Sequence, residues 1–176
     1  MTVGPDFAYA LVTRRVDAGG LDLSSLRCAL TGSEPVHRAT LDDFTGKFSR
    51  VGFDARAWLP VYGLAEVTLG VSFSRPGVPV PDLVLDGRAV PSVGAALSGL
   101  EVKVLDGAGA ELPPGEQGEL CVRGPAVMDG YFEHATATSA VLRDGWLHTG
   151  DLGVTREGMV WVTGREKELI IQQGRK

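Results

Sequence analysis

Cysteine and histidine are scarce in this chain of 176 residues: two of the former, Cys28 and Cys121, and three of the latter. The two cysteines are too few and too far apart for a disulfide framework or a zinc cluster, and they are read as buried free thiols. Long apolar runs are also missing. None approaches the ~20 residues of a membrane-spanning helix, and the start Met-Thr-Val-Gly-Pro-Asp has no basic segment followed by an apolar stretch, which points to the cytoplasm. Positive charge is in deficit as well. Lys and Arg number 17 against 22 Asp and Glu, for a net charge of −5. The two signs balance up to Arg75, and acidic residues dominate from Pro76 on. No basic footprint for nucleic acid is expected.

What the chain does have is a core-forming composition. Hydrophobic residues make up 44% and charged residues 22%, which excludes a disordered tail and suffices for one ordinary domain or two small ones. Its 24 glycines are about twice the ~7% share of average usage and show no collagen-like period, so many turns between short elements are expected.

The first 75 residues alternate helix and strand signals. Pro5 suits a first helical position, and Phe7, Ala8, Leu11 and Val12 recur as one helix face through to about Val16; Gly19-Gly20 ends that element. A short strand is expected at Arg27-Cys28-Ala29-Leu30. The loop Thr31-Gly32-Ser33-Glu34-Pro35 follows, and then a helix with Leu41, Phe44, Phe48 and Val51 on one side. Trp58 to Tyr62 reads as a further strand. This is a piece of an open α/β sheet. Tyr9 and Phe7 fit a helix-face core, with the lining of an acyl tunnel as the alternative.

Prolines and glycines crowd residues 76–94, and after them the period becomes 2. Leu100 to Val104 alternates, Asp106-Gly107 turns, and Gln117, Glu119, Cys121 and Arg123 oppose Leu120 and Val122; Val160 and Val162 flank Trp161. Several short strands with turns between them predict a small antiparallel barrel or sandwich, with one helix between Glu133 and Leu142.

Four segments carry chemistry. Tyr62-Gly63-Leu64-Ala65-Glu66 lies at a strand end, where open α/β sheets bind ligands. An aromatic ring there can stack on a base, and a carboxylate can hold magnesium against phosphate. The second segment runs from Gly118-Glu119-Leu120-Cys121-Val122-Arg123-Gly124-Pro125 to Gly130-Tyr131. The third is Trp146-Leu147-His148-Thr149-Gly150-Asp151-Leu152-Gly153, and the fourth is Gly164-Arg165-Glu166-Lys167-Glu168-Leu169.

In order, spacing and content these segments resemble the adenylate-forming superfamily, which includes acyl-CoA synthetases, fatty acyl-AMP ligases and nonribosomal adenylation domains. The resemblance runs from about Val3 to Lys176. Gly4-Pro5-Asp6-Phe7, Thr31-Gly32-Ser33-Glu34-Pro35-Val36 and Tyr62 to Leu69 resemble the fatty acyl-AMP ligase branch most, with long-chain acyl-CoA synthetases beside it. Two points depart from the pattern. Ala65 stands where relatives carry a threonine, which leaves Thr68 as the nearby hydroxyl, and the only candidate for that branch's extra segment is the short 76–94 stretch.

The resemblance implies an α/β piece of the large N-terminal domain over 1–75, a β-barrel subdomain over 76–164, and over 165–176 a hinge toward a further domain. It implies ATP and magnesium as cofactors. Gly32, Ser33 and Glu34 would wall the adenine; Tyr62 would stack on it, with Gly63 and Leu64 shaping the pocket. Glu66 would be the catalytic magnesium ligand, Asp151 would accept from the ribose hydroxyls, Arg165 would contact ribose or phosphate, and Lys167 would be the hinge. The implied activity is ATP-dependent ligation: a fatty or other carboxylic acid becomes acyl-AMP and passes to a carrier protein or CoA, in fatty acid metabolism or polyketide and lipid biosynthesis. The superfamily's phosphate loop would precede Gly4 and its late catalytic lysine would follow Lys176, so the 176-residue chain by itself is expected not to adenylate. A non-catalytic nucleotide-binding or interaction module is the other expectation. Unpaired sheet edges are expected near Arg27 to Tyr62, with a homo-oligomer as one way to cover them.

Overall fold

The computed structural model describes residues 1–165; the hinge position assigned to Lys167 lies outside them. Strand β1 (Thr2–Gly4), helix α1 (Asp6–Arg15), strand β2 (Ala29–Thr31), helix α2 (Arg38–Phe48) and strand β3 (Trp58–Tyr62) form two successive parallel βαβ units. The helices bury one side against the sheet. Leu41, Phe44 and Phe48 of α2 join Tyr9, Phe53 and Trp58 in an aromatic core, whose rings meet mostly edge to face, as Tyr9 and Trp58 do at 4.9 Å between centroids. Edge-to-face contact suits the opposed charges of ring face and ring edge.

Helix α1 turns a different side inward from the expected one. Phe7 is 61% exposed and Leu11 is exposed too, while Asp6 and Tyr9 are buried. The reason is polar: Tyr9 donates its hydroxyl to the Leu30 carbonyl at 2.9 Å, and Asp6 reaches the start of α2. The Asp6 carboxylate accepts from the His37 backbone N–H at 2.9 Å, from Thr40 Oγ1 at 2.9 Å and from His37 Nδ1 at 3.0 Å, supplying the cap that no side chain of α2 provides. Glu34 returns the arrangement, its Oε1 accepting from the Phe7 N–H in the first turn of α1. Each helix start is thus satisfied by a carboxylate from the other segment. Asp6→Ala is expected to lower stability by about 2 kcal/mol through the loss of a buried capping carboxylate, read as a shift in the urea midpoint with an unchanged slope.

The remaining strands are β4 (Ser72–Phe73), β5 (Asp82–Leu85), β6 (Arg88–Pro91), β7 (Ala95–Ala96), β8 (Glu101–Leu105), β9 (Gly118–Arg123), β10 (Leu142–Arg143), β11 (Trp146–Arg156) and β12 (Met159–Arg165), with helix α3 (Ala135–Val141) before β10. They do not close into a barrel among the described residues. β3 pairs antiparallel with β4, and one mixed sheet runs β1-β2-β3-β4-β7-β12-β11-β9-β8, with β10 on β11 and the β5–β6 hairpin apart. A period of 2 reports strands and turns but not closure; the two-residue strands β4 and β7 splice the antiparallel half onto the parallel one. The edges also differ from expectation. β2 and β3 are interior, and among the described residues the large sheet ends at β1 and β8. A second core of Val67, Val71, Val104, Leu120, Leu147 and Val160 fills the antiparallel half. Strand β9 is covered on both faces at its centre, so Cys121 is as buried as Leu120 and Val122 and the expected alternation stops there; Cys28 is half-buried. Among the described residues no helix is long and apolar enough to cross a membrane.

Candidate functional site

The parallel strands all end on one side, at Gly4, Thr31 and Tyr62, and the segments that leave them enclose two adjoining cavities, as expected for the carboxyl ends of an open sheet. The first, about 280 Å³, is walled by Ser33 and Glu34 from the loop after β2, by Tyr62, Gly63 and Leu64 from the end of β3, and by Asp151 and Arg165 from β11 and β12. The second, about 480 Å³, shares Ser33, Tyr62 and Gly63 and adds Gly32, Leu30 and Phe73. Of the ten positions singled out in the sequence, seven therefore meet at one cavity and Gly32 lines its neighbour. Glu66 lines neither, and Lys167 is outside the described residues.

Asp151 lines the first cavity and joins two of its other walls. Tyr62 donates its hydroxyl to Asp151 Oδ2 at 2.7 Å, and Arg165 Nε sits 2.9 Å from Oδ1. An ionised carboxylate offers about four lone-pair sites, so each oxygen keeps acceptor capacity. The Asp151 side chain is mostly buried, while that of Arg165 is largely exposed. Tyr62 is 8% exposed. Its phenol is pushed well above the ordinary range, first by burial and then by the neighbouring Asp151 charge, and it stays a donor. Ser33 holds φ at +69°, a conformation L residues seldom adopt and one that recurs at ligand-binding loops. The paired capping of α1 and α2 fixes both sides of that loop.

Glu66 turns elsewhere. It lies on a 3₁₀ turn (Ala65–Val67), its Oε1 accepts the Tyr131 hydroxyl at 2.7 Å, and its carbonyl accepts from the Met128 N–H at 2.7 Å. The bond to Glu66 holds the Tyr131 phenol above its usual value. Thr68 donates its hydroxyl to the Ala126 carbonyl at 3.1 Å. The first chemical segment is thus stitched to the end of the second. Glu66 Oε2 has no partner among the described residues, and a magnesium ion held mainly by phosphates and water needs only one or two carboxylates, so the residue fits that role.

Three neighbours of Asp151 escaped the sequence reading as functional candidates. Glu119, Thr149 and His148 surround the turn that carries it: Glu119 accepts from the Gly150 N–H at 3.0 Å and lies 2.7 Å from His148 Nδ1, and Thr149 accepts from the Asp151 N–H at 3.0 Å. In the sequence His148 and Thr149 stand in the third segment just before Asp151, and Glu119 stands in the second.

The profile of the AMP-binding enzyme family matches residues 1–132. The chain belongs to that family. The chain is 39% identical to a putative ligase of Mycobacterium tuberculosis and 32% identical to the long-chain-fatty-acid–AMP ligase FadD28 of the same species, each alignment taking in 99% of the chain. Among solved structures it superposes on a fatty acyl-adenylate ligase studied from E. coli and L. pneumophila with a TM-score of 0.87 at 35% identity, over 99% of the chain. It also superposes on the L. pneumophila fatty acyl-adenylate ligase held with acyl adenylate and pyrophosphate, at 0.86 and 32%, over 96% of the chain. The chain spans about a third of each: 36% and 35% of the two curated relatives, and 36% and 34% of the two solved chains. The alignments with the curated relatives run over 197 and 205 positions, longer than the chain itself, so these relatives carry residues within the aligned span that it lacks. The same holds for a putative acyl-CoA synthetase of Caulobacter vibrioides, aligned over 194 positions at 34% identity, so this difference does not separate the two branches.

Proposed function

We propose that this chain supplies the nucleotide-binding part of an ATP-dependent ligase that activates a fatty acid, or another carboxylic acid, as acyl-AMP and hands the acyl group to a carrier-protein pantetheine or to CoA. The observation that carries the reading is Asp151, held between Tyr62 and Arg165 at the wall of a cavity at the strand ends, with spare acceptor sites on both oxygens. A carboxylate so arranged suits a vicinal diol such as a ribose. The cavity of about 280 Å³ lies just below the usual span of small-molecule sites, ~300–1,000 Å³, which suits a nucleoside more than a larger ligand. The adjoining cavity, walled by Leu30, Val61, Leu69 and Phe73, is the place for the apolar part of an acid.

In this reading Glu66 holds magnesium together with phosphate oxygens, which would neutralise charge on the phosphates as pyrophosphate leaves. Arg165 sets a planar donor fork beside the ribose and α-phosphate. Residues 1–75 form the α/β part, 76–164 a β subdomain and 165–176 a hinge with Lys167 as its pivot, in a cytoplasmic enzyme. Calorimetric titration of the 176-residue chain with a non-hydrolysable acyl-sulfamoyl adenosine tests this. Saturable one-to-one binding that AMP competes away is expected. Absence of binding, or binding indifferent to AMP, overturns the nucleotide reading.

A further inference from the structure

We infer that Glu119 is a positioning residue for Asp151, acting as a clamp on an enlarged bulge in β11; the inference rests on the nucleotide reading for its functional consequence. The strand register carries it. Leu147 and His148 stand opposite Val122 and Cys121, yet the next pairing is Leu152 with Glu119, so Thr149, Gly150 and Asp151 together oppose Leu120 alone. Two residues more than the ladder needs are pushed out of it, and Gly150 holds φ at +70° to make the turn. Bulges of this kind re-aim a side chain. Here the side chain concerned is Asp151, which stays opposite Arg165 in the β11–β12 ladder while the bulge against β9 turns it to Tyr62.

An expelled stretch of strand leaves backbone groups without ladder partners, and they must be satisfied in some other way. Thr149 bridges two of them, donating its hydroxyl to the Leu120 carbonyl at 2.7 Å and accepting from the Asp151 N–H. The Gly150 N–H donates to Glu119 Oε1 at 3.0 Å. The other oxygen of the same carboxylate lies 2.7 Å from His148 Nδ1, on the near side of the bulge, and both side chains are mostly buried. Glu119 therefore grips the bulge at its apex and its base. Beneath it Cys121 Sγ lies 3.5 Å from the same imidazole nitrogen.

Glu119, Cys121 and His148 are close enough to be considered as metal ligands, but the hydrogen bonds assign them otherwise. Both Glu119 oxygens are in use, and a cation would have to break the contact with His148 and displace the proton of a thiol that burial and Glu119 push up to about 12. The cluster is closed on itself as a structural clamp.

The test compares Glu119→Ala, Glu119→Gln and Asp151→Ala in the 176-residue chain, reading affinity for acyl-sulfamoyl adenosine by calorimetry and Gly150 amide exchange by NMR. Glu119→Ala is expected to bind about tenfold more weakly, the effect of losing a charge-assisted hydrogen bond, with the Gly150 amide exchanging rapidly. Glu119→Gln keeps an oxygen for that N–H and is expected to restore affinity to within about threefold of the parent. Full affinity in Glu119→Ala, or a Gln variant as damaged as the Ala variant, overturns the inference. Should Glu119→Ala fail to fold, Glu119→Gln decides alone: slow Gly150 exchange with near-parental affinity supports the clamp, and fast exchange with parental affinity overturns it. If Asp151→Ala binds as the parent does, the nucleotide reading has failed instead, and retained Gly150 protection in Glu119→Ala would then overturn the clamp on structural grounds.

Discussion

Replacing Asp151 with alanine is expected to weaken acyl-adenylate binding by about a hundredfold, or roughly 2.7 kcal/mol, the largest effect of any single side chain at the site. Three losses combine. The acceptor sites facing the cavity disappear; the Tyr62 hydroxyl, buried and donating to Asp151, is left without its partner; and Arg165 loses the carboxylate that holds its guanidinium at the rim. A buried hydroxyl without a partner costs about 1–3 kcal/mol in its own right, so the variant should be less stable as well as a weaker binder. Asp151→Asn keeps one oxygen in place and is expected to fall between the parent and the alanine variant. Isothermal titration of all three proteins measures the series, and an alanine variant within threefold of the parent would remove Asp151 from the site.

The second large effect is on stability, at Gly63. A Cβ at this position would lie 1.8 Å from the Leu69 carbonyl oxygen, because the chain folds back on itself there and the Val71 N–H bonds to the Tyr62 carbonyl at 2.8 Å. The obstacle is backbone, which cannot move aside as the end of a flexible side chain can. Gly63→Ala is expected to lower stability by about 3 kcal/mol, with Tm falling by on the order of 10 °C in a chain of this size. Since Tyr62 and Leu64 flank the position, ligand affinity should fall with it. Thermal unfolding followed by circular dichroism checks the first effect, and a Tm within 2 °C of the parent would contradict the packing argument.

Much of the architecture was readable because it depends on local pattern. Strand Trp58–Tyr62 coincides with its apolar run, and α2 begins and buries Leu41, Phe44 and Phe48 as their spacing requires. Helix α1 misled for a definable reason. Its apolar residues lie on both sides, and a buried carboxylate, Asp6, and a tyrosine hydroxyl chose which side faces in. Hydrophobic periodicity gives no weight to a polar group that finds partners 31 and 34 residues away. The expected small antiparallel barrel is unconfirmed on a similar ground, since closure depends on pairings between distant strands. Motif content singled out Ser33, Tyr62, Asp151 and Arg165, which line one cavity, and Glu66, whose carboxylate accepts the Tyr131 hydroxyl outside that cavity. Glu119 stayed hidden because its task arises from a register shift between β9 and β11, and a strand read by itself carries no trace of the residues its neighbour expels.

Strand β3 belongs to two neighbourhoods. On one side it is the last parallel strand beneath α2, and on the other it is the first partner of the antiparallel half through β4; Trp58 lies in one hydrophobic core and Tyr62 in the other. Neither core can come apart without loosening the strand the other requires. The two halves are therefore coupled in unfolding, and a disturbance that starts beneath the helices is felt at the ligand cavity before any side chain there has been touched.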